Sequence, residues 1–585
     1  MFDIDISDPI SFSNSGLTKL DGGKYGKEKW SAKEWPVVYL IYNEKEVYIG
    51  ETVDAKSRML QHLANERRRV LENFVLISDG TFNKSVIQDL EAWLIQHVIA
   101  DTKFEKIQNR NFGFQIHSYY NDKKYESLFG DVWDKMRNHD LAERTKEWVE
   151  NSNIFKYSPY KNLTDDQYQV MSIIIQSLTD AILKNKNKTF LIKGGAGTGK
   201  TVLGIYLLKL LTANLYETIS LDDAETATNL DFLRRAKKDL KIGIVIPMSN
   251  LRTIVKDTLK RIEGFPKDIV LSPNDVANSP EKFDLLIVDE THRLRRRKNL
   301  TQYDAFDRSN RKLGFDDNGT ELDWILKQSK NQIFLYDSTQ SIKPTDIPKE
   351  RIENLKRTRN CQELDLLTQI RCKRGGEAYI EYIRNIFSNQ NLPRRAQDFT
   401  KSDYDLKLFD DVAEMVDEIK NKNAEYGLCR TVAGYAWDWK TKGKVLFSGE
   451  DAEKTKEYIK NGFYDIDIAG HKFIWNVKFD GWLASPNSVN EIGCIHTIQG
   501  FDLNYAGVIV GNELRYSKER GLYIDRKNYK DKNGFKTTND DELLEYILNI
   551  YKVLCTRGIL GTYIYACDDG LREYLQKYIA TKNAS

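Results

Sequence analysis

The stretch Gly194-Gly195-Ala196-Gly197-Thr198-Gly199-Lys200-Thr201 constrains this chain more than any other, because it fills every fixed position of the phosphate-cradling pattern G-x-x-x-x-G-K-[ST]. Thr189 to Ile192 is a short apolar run ahead of it, and Val202 to Leu211 carries apolar residues at helical spacing behind it. The loop is therefore expected between a strand and a helix. Phosphate suits that geometry: backbone N–H groups and the helix dipole attract the anion, Lys200 reaches the β- and γ-phosphates, and the Thr201 hydroxyl ligates Mg2+. Phe283 to Val288 is a second apolar strand, ending in Asp289-Glu290-Thr291-His292. Asp289 is expected to complete the Mg2+ shell, with Glu290 polarising the attacking water.

Composition bounds the rest. A chain of 585 residues has room for two to four domains, and 41% hydrophobic with 30% charged residues describes a globular protein. Lys and Arg number 88 against 86 Asp and Glu, so no whole-molecule field draws the chain to nucleic acid, and local patches must do so. The six cysteines form no C-x-x-C pair. That pattern argues against structural zinc and fits reduced thiols in a cytoplasm. No basic, apolar leader opens the chain and no run of 18 apolar residues occurs, so export and membrane spanning are not expected.

Residues 1–34 lack periodicity and read as a leader that packs weakly or wraps. Val37 to Tyr42 and Glu46 to Gly50, joined by Asn43-Glu44-Lys45, read as a β-hairpin. A helix follows with Arg58 and His62 on one face, then a second helix from about Ser85 to Ile99 carrying Glu91, then Asn109 in a loop. This order resembles the GIY-YIG nuclease family over roughly residues 35–120. The resemblance implies a small α+β domain in which Tyr39 or Tyr48, helped by His62, activates water. Arg58 would offset phosphoryl charge and Glu91 would hold Mg2+ or Mn2+. The family's first glycine is absent before Tyr39, and Asn111 competes with Asn109 for the last position. Residues 121–160 read as a helical connector.

From Leu163 onward the chain resembles superfamily-1 helicases. A helix from Gln167 to Leu183 follows a Thr or Asp cap, and the resemblance implies that Gln167 reads adenine, so that the cofactor is ATP. Pro247-Met248-Ser249-Asn250 falls where such enzymes touch the nucleic-acid backbone. Arg293, Arg295, Arg296, Arg297 and Lys298 form the densest basic run, readable as a nucleic-acid path or as a solvated loop. In Asp337-Ser338-Thr339-Gln340, Gln340 would sense the γ-phosphate, with Tyr336 where a glycine is usual. Arg371 and Arg557 are the candidate arginine fingers, and His496-Thr497-Ile498-Gln499-Gly500 resembles the segment that links lobe motion to nucleic acid. The closest resemblance is to the Schlafen-type helicase domain and its bacterial relatives. It implies an α/β architecture with RecA-like parallel-sheet lobes over residues 161–360 and 361–585.

Together these patterns lead to the expectation of a metal-dependent nuclease joined to a helicase-like ATPase. It would act on nucleic acid, DNA more than RNA, and a role in defence against foreign nucleic acid fits the combination. An ATP-gated nucleic-acid sensor with an inactive nuclease fold is the alternative.

Overall fold

Residues 3–22, 35–109, 122–159, 163–195, 197–212, 224–236, 240–262, 264–300, 302–337, 340, 344–358, 360–368, 376–388, 404–445, 451–477, 482–498, 501–531 and 539–582 are described in a computed structural model of the chain. Ala196, Arg371, Asn111, Gln499 and Gly500 lie outside the described residues. Two compact units divide the chain: residues 1–186, 202–242 and 253–270 form one, and residues 187–201, 243–252 and 271–585 form the other.

In the first unit, β1 (Asp5–Ile6), β2 (Ile10–Ser11), β3 (Val37–Tyr42), β4 (Glu46–Thr52), β5 (Asn73–Ser78) and β6 (Lys106–Ile107) make one sheet in the order β1-β5-β3-β4-β6, with β2 also on β5. The hairpin β3–β4 is antiparallel and pairs Tyr39 with Gly50. Val37 to Ile41 are wholly buried because β3 is a central strand covered on both faces, so its sequence is continuously apolar instead of alternating. The leader does more than wrap. Ile6 pairs with Ile77 and Ile10 with Phe74, and Ile10, Phe12, Leu17 and Leu20 enter the core beneath β3. Helix Lys84–Ala100 lies against β3 and β4, and helices Asp122–Asn138, Lys146–Asn151 and Asn153–Lys156 pack on it in turn. Trp93 stacks on His97 at 3.5 Å and meets the buried Trp133 edge-on at 6.0 Å. The expected connector is thus part of this unit's core.

The second unit holds two parallel sheets. The first is built from β7 (Thr189–Gly194), β8 (Ile242–Val245), β9 (Val270–Leu271), β10 (Phe283–Val288), β11 (Ser329–Tyr336) and β12 (Cys361–Leu366), in the order β12-β7-β11-β10-β8-β9. Because β12 pairs with β7, residues 361–366 belong to the first lobe, and the expected boundary at 360/361 moves beyond them. Half-polar edge strands such as Cys-Gln-Glu-Leu-Asp-Leu carry little signal of which sheet they join.

The second sheet is formed by β13 (Asp405–Leu408), β14 (Arg430–Ala433), β17 (Ile492–Cys494), β18 (Leu503–Val510) and β21 (Gly558–Ala566), in the order β13-β21-β18-β14-β17. Two antiparallel pairs, β15 (Ile466–Ile468) with β16 (His471–Phe473) and β19 (Leu514–Ser517) with β20 (Gly521–Ile524), stand apart. β18 is buried at all eight positions, as a central parallel strand between two layers must be. The mixed α/β class with two RecA-like parallel-sheet lobes is as expected. No helix among the described residues is long and apolar enough to cross a membrane.

Trp475 and Trp482 are core residues at 1% exposure. The Trp482 indole N–H donates to the buried Glu491 at 2.9 Å. Trp482→Ala should therefore cost about 3–5 kcal/mol through the cavity it leaves and the loss of one of the donors that hold the buried Glu491. Denaturant unfolding followed in the second unit should show that loss.

Candidate nucleotide site and tyrosine cluster

Register sets the carboxyl ends of three adjacent parallel strands at one edge of the first sheet of the second unit, with β10 ending two residues short of β11. Val288 on β10 lies opposite Phe334 on β11, which lies opposite Leu191 on β7. Asp289 and Glu290, Asp337, and the glycine-rich loop therefore emerge side by side. The loop is a close-fitting cradle, since a Cβ on Gly194 would stand 2.3 Å from Thr198 Oγ1. Gly197 and Gly199 take positive φ, a conformation that favours glycine. Lys200 Nζ donates to the Gly194 and Gly195 carbonyls at 2.8 Å each, and Thr201 Oγ1 donates to Asp289 Oδ2 at 2.7 Å.

Glu290 sits in the left-handed region at φ 48°, a strained backbone for a non-glycine residue. Its Oε2 is 2.9 Å from His292 Nε2, an ion contact without an aligned hydrogen bond. Burial resists ionisation of Glu290, but the His292 imidazole outweighs it and draws the carboxyl below its ordinary value. Burial and then the Glu290 charge push Asp289 the other way. The pair thus splits into a readily ionised carboxylate and a reluctant one.

The second lobe contributes Arg557, 1% exposed, whose Nη2 donates to Gln340 Oε1 at 3.3 Å while Nε donates to the Val553 carbonyl. Gln340 Nε2 in turn donates to Asp337 Oδ2 at 2.6 Å. Gln167, in the first unit, accepts from the Thr164 N–H through Oε1 at 3.0 Å, serving the start of its own helix. The basic run is internally matched. Arg293 pairs with Asp346 and Arg295 with Glu321, both at 2.7 Å, and Arg297 grips Asp307 through two bonds. A cavity of about 450 Å³ opens beside it, lined by Pro247, Ser249, Arg252, Arg293, Thr345 and His496.

In the first unit, the Arg58 and Tyr39 side chains meet over the hairpin. Arg58 Nε donates to Tyr39 Oη at 3.2 Å, which directs the hydroxyl proton to His62 Nε2 at 2.7 Å. Burial, then Arg68 and Arg58, push His62 down to about 3, so its imidazole is neutral and free to accept. Burial and Tyr48 hold Tyr39 well above an ordinary phenol, so it stays protonated at rest. Tyr48 lies 6.2 Å from Tyr39, centroid to centroid, with Arg68 3.5 Å above its ring. Burial, then Glu51, push Glu91 up to about 8 against Lys84 and Arg58, although the carboxyl keeps an opening to solvent. Asn109 bonds both the N–H and the carbonyl of Ile49, which fastens its loop to β4.

The structure thus gathers Tyr39, Tyr48, Arg58 and His62 in one unit and Lys200, Thr201, Asp289, Glu290, Gln340 and Arg557 in the other. Sequence reading overlooks Arg68 and assigns no role to His292 and Asp337, although both stand inside the motifs it quotes.

Residues 187–568 match the Schlafen group 3, DNA/RNA helicase domain. The chain belongs to that family. Its Schlafen-type helicase domain carries a helicase-like ATPase fold, which implies ATP binding. An uncharacterized protein of Saccharomyces cerevisiae is 27% identical over 417 residues, 66% of this chain and 83% of the yeast protein. Among solved structures, the Arterivirus nonstructural protein 10 helicase aligns with 68% of this chain and 63% of its own length at 12% identity and a TM-score of 0.28. The Pif1 helicase from Bacteroides in complex with ADP-AlF3 and ssDNA aligns with 72% of this Schlafen-type chain and 96% of its own length, at 12% identity and a TM-score of 0.26.

Gly50 is the residue that lets Tyr39 reach His62, because a Cβ there would stand 2.2 Å from Tyr39 Oη. Gly50→Ala should destabilise the first unit by about 1–3 kcal/mol, read as a lower melting temperature.

Proposed function

We propose that the chain is an ATP-dependent or ATP-regulated nucleic-acid-processing enzyme joining a GIY-YIG-like phosphodiester nuclease, residues 35–120, to its helicase-like ATPase. The observation that carries the ATPase half is the meeting of Lys200, Thr201, Asp289 and Glu290 at neighbouring parallel strand ends, with the second lobe's Arg557 linked to them through Gln340. Thr201 Oγ1 and Asp289 Oδ2 are the oxygens suited to hold Mg2+, which supplies phosphate charge neutralisation when bound. Lys200 is the loop's cation for the β- and γ-phosphates. Glu290, ionised and fixed by its strained backbone, orients water, and Gln340 with Arg557 senses the γ-phosphate. Arg371, outside the described residues, is kept as a candidate second arginine, and Gln167 as an adenine contact.

The tyrosine cluster supports the nuclease half. A neutral His62 accepting from Tyr39 provides a route for a proton, and Arg58 at the same hydroxyl provides positive charge for a phosphoryl group. Glu91 is the carboxylate suited to a divalent cation. Nucleic acid, DNA by preference, is the proposed partner, and the cavity by Pro247 and His496 is wide and polar enough for a phosphodiester strand.

Lys200→Ala should abolish ATP hydrolysis, and Glu290→Gln should retain ATP binding while losing turnover; wild-type turnover in the first variant would reject the phosphate-loop assignment. For the nuclease half, plasmid and labelled oligonucleotides are incubated with Mg2+, with and without ATP. Cleavage should vanish in Glu91→Ala and Arg58→Ala while ATPase persists, and uncut substrate with wild-type protein would reject that half.

Below about pH 8 a cation must displace a proton from Glu91, so apparent metal affinity in the first unit should rise about tenfold per pH unit toward that value and level off above it. Calorimetric Mn2+ titrations at several pH values, with Glu91→Gln as control, check this slope.

A further inference from the structure

The side chains around the phosphate loop join into a relay that reaches the other lobe of the second unit. Lys200 Nζ stands 3.8 Å from Asp337 Oδ2, and these side chains are only 6% and 2% exposed. The same Asp337 oxygen accepts from Gln340 Nε2, and Gln340 Oε1 accepts from Arg557 Nη2. One buried carboxylate therefore faces the loop's cation on one side and, through a single amide, the second lobe's arginine on the other.

A buried ammonium needs a counter-charge, and carbonyl oxygens of the loop give Lys200 dipoles only. Asp337 supplies the charge. Phosphates in the cradle of Gly194 to Gly199 would take Lys200 over and set a second anion against the Asp337 carboxylate in a site shielded from water. Like charges at that range repel strongly. The backbone cannot yield easily, because Tyr336 is packed in the first lobe's core between strand neighbours, with its ring 6.4 Å from His292. The response must fall on the Asp337 side chain. As it turns away, its bond to Gln340 breaks, and the Gln340 amide is free to turn against Arg557, whose guanidinium stays anchored by the Val553 and Phe501 carbonyls. The tyrosine where a glycine is usual makes sense as the anchor that turns repulsion into side-chain rotation instead of loop movement.

We propose that Asp337 is a positioning residue for ATP binding and hydrolysis: its carboxylate is a built-in counter-anion that phosphate displaces from Lys200, and its displacement frees Gln340, the amide that links it to Arg557, to face the γ-phosphate. The inference rests on the ATPase assignment. It adds that nucleotide binding competes with an internal anion, and that the same anion reports the exchange to the second lobe.

Asp337→Asn separates charge from shape. The amide can still accept from Gln340, but it neither neutralises Lys200 nor is repelled by phosphate. In the full chain, a fluorescent ATP analogue should bind this variant about fivefold or more tightly than wild type, because no carboxylate competes for Lys200. Turnover should fall about tenfold or more, because Gln340 stays held. Tighter binding with slower turnover is the signature, since loss of a merely structural contact would weaken both. Equal or weaker binding by a variant that melts like wild type would overturn the proposal. If Asp337→Asn does not fold, Asp337→Ser is put through the same measurements, and failure of both to fold would assign Asp337 to the fold and overturn the proposal equally. A wild-type chain that binds no ATP would instead remove the ATPase reading itself.

Discussion

The parallel register of β7, β11 and β10 is the constraint on which the nucleotide site depends. Parallel strands in an open sheet deliver their following loops to one edge, and the side chains there need no long excursions to meet. Here the strand that carries the glycine loop, the strand that carries Asp337 and the strand that carries Asp289 are consecutive neighbours, matched residue for residue. A slip of one residue would turn Asp337 away from Lys200 and bury a charge without a partner. Register, fixed by the apolar faces of Leu191, Phe334 and Val288, is thus also the device that sets the electrostatics.

Charge is handled in the second unit by pairing. Arg293, Arg295 and Arg297 follow one another closely enough to look like a nucleic-acid stripe, yet each meets a carboxylate from another element, at Asp346, Glu321 and Asp307. These contacts brace the loop after β10, which must hold Glu290 in its strained left-handed conformation. The near balance of acidic and basic residues over the chain is consistent with this use of arginine.

What the sequence shows plainly is what is local. The strand–glycine loop–helix unit, the apolar strand ending in Asp289-Glu290, the hairpin with its two tyrosines and the four-residue spacing of Arg58 and His62 are all patterns within about twenty residues, where periodicity and turn chemistry decide the structure. What it hides is pairing at long range. The two-residue strands Asp5–Ile6 and Ile10–Ser11 are too short to show alternation and become strands only because β5 offers an edge. β12 mixes charged with apolar residues, so its allegiance to β7 is set by the partner. Asp337 sits inside a recognised motif, but its tie to Lys200 spans more than a hundred residues of chain.

The two chemistries are prepared in opposite electrostatic ways. In the second unit the buried groups are held in close pairs, Lys200 with Asp337 and Glu290 with His292. In the first unit burial keeps the groups neutral: His62 far below its ordinary value, Glu91 and Tyr39 above theirs. A cation placed beside Glu91 would work against that burial, favouring the carboxylate and lowering the phenol. The Arg58 and Arg68 guanidiniums act in one direction on both neighbours, disfavouring a proton on His62, where they add to burial, and on Tyr48, where they oppose it, so His62 is kept as an acceptor and the phenol's rise is limited.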